Sequence, residues 1–130
     1  QTMNPQEPAI RLAAEHDYVG FAKEELRVRF ECGLPPATRM ARIVVRDEDA
    51  AAAMARGRDL AALLEQTPHS RLLGPAPAPV SRIAGQHRVG LELICPSAAE
   101  LHAALARLRA AGLLKSDAKT AVDVDPVMMM

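Results

Sequence analysis

His87-Arg88-Val89-Gly90-Leu91-Glu92-Leu93-Ile94-Cys95, running through Pro96 into Ser97-Ala98-Ala99-Glu100, is the stretch that decides the fold. Val89, Leu91, Leu93 and Cys95 fall on one face and Arg88, Glu92 and Ile94 on the other, the period of two that marks a half-buried strand. Ser97 and Glu100 then form a capping box, in which a hydroxyl and a carboxylate each satisfy an unpaired amide at a helix start. Leu101, Leu105 and Leu108 line one side of the helix that follows, and Gly112 stands where a left-handed cap ends it.

Upstream of that stretch, Gly85 marks a turn after residues 80–84, and Arg71 to Gly74 reads as a short strand. Leu73-Gly74-Pro75-Ala76-Pro77-Ala78-Pro79 is expected to end the strand, because alternating prolines remove ladder donors and leave an extended, rigid segment. Arg39 to Arg46 alternates, with Ala41, Ile43 and Val45 opposite Arg42, Val44 and Arg46, which predicts another half-buried strand. Asp47 to Gln66 carries an apolar stripe of Ala53, Gly57, Leu60, Ala61 and Leu64, the pattern of an amphipathic helix. Glycine inside a helix costs about 1 kcal/mol relative to alanine, so Gly57 predicts a close approach of this helix to a sheet. Val122-Asp123-Val124-Asp125-Pro126 closes the last strand, from Thr120 to Asp125.

The order strand, helix, strand, strand, helix, strand predicts an α+β domain of the ferredoxin-like split βαβ arrangement, βαββαβ. Both helices lie on one face of an antiparallel sheet, with the first strand between the third and fourth. The helix-free face would place Arg42 beside Asp123 and near Arg88 and Glu92, and the expectation is a solvated, salt-bridged surface where single truncations cost little.

Before this domain, Pro8 to Phe30 reads as helical, and Gly33-Leu34-Pro35-Pro36 stops any helix. The expected division is residues 1–36 and 37–130. Tyr18, Phe21 and Phe30, all the aromatic side chains of the chain, precede the boundary, so the first segment is expected to pack against something larger than itself.

The chain has 130 residues, with Lys+Arg 16 and Asp+Glu 16, so the overall balance demands no polyanionic partner. Residues 37–130 hold twelve of the basic and ten of the acidic residues, which makes them the more basic part. Cys32 and Cys95 lie too far apart for a zinc knuckle and are read as reduced thiols. His69, His87 and His102 lack metal-ligand spacing, and His16-Asp17 reads as polar helix surface. Asp123 and Asp125 would share a face and are given a structural role. Met128 to Met130 reads as an apolar end that covers a hydrophobic edge. No apolar run of about 18 residues and no signal peptide is present, so the expectation is a cytoplasmic protein with no membrane contact. A chain that starts at Gln1 is expected to be trimmed, or the downstream piece of a longer polypeptide.

A further set of residues carries a resemblance that spans nearly the whole chain. It comprises Gln1-Thr2 with Asn4-Pro5 and Pro8-Ala9-Ile10; His16-Asp17-Tyr18 with Gly20-Phe21; Glu25-Leu26 with Arg29; and Gly33-Leu34-Pro35-Pro36. Leu73 to Pro79, Gly85 with Arg88, Cys95-Pro96-Ser97 and Asp123-Val124-Asp125-Pro126 complete it. In order and spacing these resemble the carboxyl-terminal end of the bacterial replication-restart helicases of the primosomal protein N′ (PriA) family.

That resemblance implies that residues 1–36 are the tail of a second motor lobe and 37–130 the family's carboxyl-terminal domain. It implies a parent that moves 3′ to 5′ on DNA with ATP and magnesium, carries zinc in an upstream cysteine-rich insertion, restarts abandoned forks and assembles the primosome. The partners so implied are forked DNA, single-strand-binding protein, other primosome proteins and the parent's motor lobes. The fragment itself has no Gly-x-x-x-x-Gly-Lys-Ser/Thr loop, so no cofactor and no ATP hydrolysis are expected of it alone.

Arg88, with Arg82 and Arg71 nearby in sequence, is the expected contact for DNA or for the motor body, and a salt bridge of Arg88 to Glu92 or Asp123 is the competing explanation. Gly74, Pro75, Pro77, Asp123, Asp125 and Pro126 are read as the structural motif. Family members grip the acidic tail of single-strand-binding protein with an Arg and a Gln, where this chain has Ala98 and His102. Ala37 and Val89 replace aromatics common in the family, so base stacking is not carried over.

Three other classes compete. An acylphosphatase-type enzyme needs an anion cradle after the first strand, where this chain has Asp47-Glu48-Asp49, which repels phosphate. An RNA-recognition sheet needs stacking aromatics that the strands lack. A free-standing ferredoxin-like small-ligand regulatory module stays open.

Overall fold

The computed structural model describes residues 2–115 and 117–126; Gln1 and the expected Met128–Met130 cover lie outside the described residues. The chain divides into two compact units, residues 1–37 and 38–130.

In the first unit, the expected helical stretch is two helices, α1 (Pro8–Ala14) and α2 (Tyr18–Glu31). His16 takes a left-handed φ of 55° between them, and the Asp17 carboxylate caps α2 by accepting from the Gly20 amide at 2.9 Å. His16 and Asp17 are exposed polar surface, as expected, but they stand at a helix junction and not along one helix. Any Cβ at residue 20 would lie 2.2 Å from Asp17 Oδ2, so glycine makes room for the cap. Helix α2 ends in a Schellman motif: Gly33 has φ 61° and donates to Phe30 O at 3.2 Å, and Leu34 donates to Arg29 O at 2.9 Å.

The second unit runs β1 (Arg39–Asp47), α3 (Ala50–Leu64), β2 (Arg71–Ile83), β3 (Gln86–Cys95), α4 (Ala98–Ala110) and β4 (Thr120–Val124). The four strands form one antiparallel sheet in the order β2-β3-β1-β4, which sets β1 between β3 and β4. This is an α+β fold consistent with the ferredoxin-like split βαβ arrangement. Ala41, Ile43 and Val45 of β1 and Val89, Leu91, Leu93 and Cys95 of β3 share one core with Leu60 and Leu64 of α3 and Leu101, Leu105 and Leu108 of α4. Each fully buried leucine contributes about 1.5–3 kcal/mol. Burial also pushes the Cys95 thiol above its ordinary pKa.

Local signals in the sequence have clear structural counterparts. Ser97 Oγ accepts from the Glu100 amide at 3.3 Å, and Gly112 (φ 70°) closes α4 with Leu113 N donating to Leu108 O at 3.0 Å. A Cβ at Gly57 would lie 3.0 Å from both Pro75 Cβ and Val89 Cγ1, so α3 does approach the sheet closely there.

Two expectations are overturned. Strand β2 does not stop at Gly74 but continues through the prolines to Ile83, with register shifts between Leu73/Ala76 and Pro77/Arg82. Proline is tolerated on edge strands and at bulges, and β2 is an edge strand with two irregularities. The helix-free face is likewise not a solvated surface: Met40, Arg42, Val44 and Ile94 are 6%, 7%, 6% and 4% exposed. Three of these four are apolar, and bulged β2 brings Pro77, Ala78 and Pro79 to the same groove as Arg42.

Candidate functional site

The structure does not gather Arg71, Arg82, Arg88 and His102 into one site. Arg71 begins β2 opposite Ile94, whereas Arg82 lies opposite His87 beside the hairpin turn at Ala84 and Gly85. Their partners on β3 are seven residues apart, which at about 3.3 Å per residue separates the two arginines by roughly 23 Å. His102 is exposed on α4, in the helical layer, while Arg88 belongs to the other face of the sheet. Arg82 shares the face of its partner His87, so pleating aims it away from Arg88 as well.

Arg88 Nη1 donates to Val80 O at 3.1 Å, across the second register shift of β2. The proposed salt bridges to Glu92 or Asp123 are not found among the described residues; the main-chain carbonyl takes their place. The residue that the structure sets beside Arg88 is Arg46, its direct partner in the β1–β3 pairing. Sequence reading missed Arg46 because its neighbour is fixed by pairing between distant segments. Arg46 Nη1 points to Ala118 O at 3.5 Å, and its amide donates to Lys119 O at 2.7 Å.

The carboxylates at this end of the sheet are engaged elsewhere. The backbone amide of Asp49 and then Lys119 Nζ, at 3.0 Å, hold the Asp47 carboxyl below its usual range. For Asp117, burial raises the pKa, but Arg56 at 3.3 Å and the amides of Lys119 and Thr120 outweigh it and keep the carboxyl low.

Farther along the same face, Arg42 lies directly opposite Glu92 on one side and Asp123 on the other. It lines a groove of about 190 Å³ with Gly74, Pro77, Gly90 and Glu92. Gly74 shapes this groove: it has φ 90°, and a Cβ there would lie 2.5 Å from Gly90 O. Pro75 packs instead toward Gly57 on α3.

Asp123 and Asp125 do not share a face. Strand β4 ends at Val124, and Asp125 turns at φ 49°. Its amide donates to Met40 O at 2.8 Å, its carboxylate accepts from Met40 N at 3.1 Å, and Arg39 Nη2 lies 2.5 Å from Oδ2. Half-buried Pro126 follows this clamp. Among the described residues no group of three or more His, Cys, Asp or Glu is placed to hold a metal ion. Among the described residues no helix is long and apolar enough to cross a membrane.

An antiparallel sheet with both helices on one face and arginines along its edge and free end defines a small α+β module of the split βαβ class. Residues 30–127 match the family described as Primosomal protein N C-terminal domain, and the chain belongs to that family. It is 37% identical over 137 residues to the replication restart protein PriA of Haemophilus influenzae, covering 97% of this chain and 18% of that protein. The replication restart protein PriA of Bacillus subtilis is 27% identical over 100% of the chain, which covers 17% of that protein. For Synechocystis the identity is 30% over 98% of the chain, again covering only 15% of the relative. The chain thus spans less than a fifth of the length of these relatives.

Proposed function

We propose that this chain is the carboxyl-terminal DNA- and partner-binding module of an ATP-dependent 3′ to 5′ DNA helicase that restarts stalled replication forks and assembles the primosome. The observation that carries the reading is the alignment with replication restart proteins along 97% and 100% of the chain. Residues 1–36 are the tail of the second motor lobe. Their apolar surface supports this, since Tyr18, Val19 and Phe30 are 77%, 61% and 59% exposed and would be covered by the body of such a lobe. ATP, magnesium and zinc belong to upstream parts of the parent. The partners are forked DNA, single-strand-binding protein and other primosome proteins, in the cytoplasm.

The test is the coding DNA immediately upstream of Gln1. The reading expects an in-frame extension encoding a phosphate-binding loop and a cysteine-rich insertion. A start codon directly upstream would make this a free-standing domain and remove the motor function.

A further inference from the structure

We propose that Arg46 and Arg88 form a two-armed clamp for one phosphodiester of a nucleic-acid strand, on the helix-free face at the hairpin end of the sheet. The inference rests on the DNA-binding reading above and adds a location, a second residue and indifference to base sequence.

The two arginines are directly opposed in the β1–β3 pairing, and directly opposed side chains have Cβ atoms about 4.5–5.5 Å apart. Like charges in that position repel, and neither arginine makes an ion pair among the described residues. Each guanidinium is instead steadied by one main-chain carbonyl, Ala118 O for Arg46 and Val80 O for Arg88. A guanidinium carries five donors in a rigid fork, so each keeps donors for a ligand.

Among the described residues no carboxylate pairs with either arginine. Asp47 is held by Lys119, and Glu92 and Asp123 stand opposite Arg42, four residues along β1 from Arg46 and so about 13 Å away. An anion between the two forks would accept charge-assisted bonds from both sides and relieve their repulsion.

The neighbouring positions on this face decide what kind of anion-bearing chain fits. Gly90 and Ala121, both half-buried, flank the buried Val44 there. No aromatic residue occurs after Phe30, so this unit offers no platform on which bases stack. Contact through phosphate alone positions a strand without reading its sequence.

The test uses the 130-residue chain with fluorescein-labelled single-stranded oligo(dT) and oligo(dA), titrated at several salt concentrations. Arg46→Gln and Arg88→Gln should each weaken binding, and the double variant should reduce the slope of log K against log salt by about one, the count for a single phosphate. Arg88→Lys should keep the slope. Arg58→Gln, on exposed α3 surface, should match the unaltered chain. The two oligomers should bind alike. The melting temperature of Arg46→Gln should be unchanged or higher, because a like-charge contact is removed.

A folded double variant with an unchanged salt slope would overturn the clamp while leaving DNA binding by the module intact. A chain that binds neither oligomer nor forked DNA at low salt would overturn the underlying reading as well. If the double variant loses affinity for poly(L-glutamate) but not for DNA, the ligand is an acidic protein segment and the phosphodiester assignment is wrong.

Discussion

Gly74→Ala tests the central packing feature of the second unit. The added Cβ would lie 2.5 Å from Gly90 O, 3.2 Å from Ala76 N and 3.3 Å from Leu91 Cα, all backbone atoms. Even a weak C–H···O contact has a carbon-to-oxygen distance of about 3.3–3.6 Å, so strands β2 and β3 must separate by about 0.8 Å or more. That displacement pulls Pro75 off its seat beside Gly57. Forcing alanine to φ 90° costs about 1–3 kcal/mol, and overpacking against backbone adds about 1–3 kcal/mol. The sum, about 2–6 kcal/mol, is a large part of a typical domain's stability, and at roughly 4–8 °C per kcal/mol it lowers the melting temperature by about 8 °C or more. Urea denaturation followed by far-ultraviolet circular dichroism should show a lower midpoint with an unchanged slope. Gly85→Ala is the control: φ there is 82°, but a Cβ would meet nothing within 4 Å, so only conformational strain applies. A Gly74→Ala loss no larger than that of Gly85→Ala would refute the close-approach argument.

Other perturbations have defined outcomes. Arg42→Ala should cost about 2 kcal/mol in urea denaturation, because it truncates a side chain that is 7% exposed on the face it shares with buried Met40, Val44 and Ile94; a loss below about 0.5 kcal/mol would restore the solvated-face reading. Asp125→Ala should cost about 1–2 kcal/mol through the lost bond to Met40 N and contact with Arg39, while Asp125→Asn, which tolerates the left-handed turn, should cost less; equal losses would contradict the clamp. Asp47 has a lowered pKa from the Asp49 amide and Lys119, so its stabilisation is present above the unfolded carboxylate value of about 4 and is lost as pH falls through the lower folded value. Asp47→Asn should therefore flatten the acid limb of a stability-against-pH curve without changing its neutral-pH shape.

What was legible in the sequence was local chemistry. Ser97, Glu100, Gly57 and Gly112 each announce a cap or a close approach through their own residue type and spacing, and the alternation of Val89 to Cys95 fixes a strand and its buried face. What was not legible depends on where an element lies in the assembled sheet. Prolines 75, 77 and 79 forbid a central strand but permit an edge strand, and only the order β2-β3-β1-β4 shows that β2 is at the edge. Likewise Arg42 looks like solvent-facing charge until Met40, Val44 and Ile94 are seen buried around it. The three candidate arginines illustrate the same limit: Arg71, Arg82 and Arg88 are near in sequence, but strand length and pleating set them apart, and pairing supplies Arg46 instead.

The most direct test of the DNA-binding reading is equilibrium anisotropy of the 130-residue chain against a fluorescein-labelled forked duplex and a blunt duplex of equal length, in rising salt. The account predicts tighter binding to the fork, with log K falling linearly as log salt rises. A folded chain that leaves the anisotropy of both probes unchanged at low salt would contradict it.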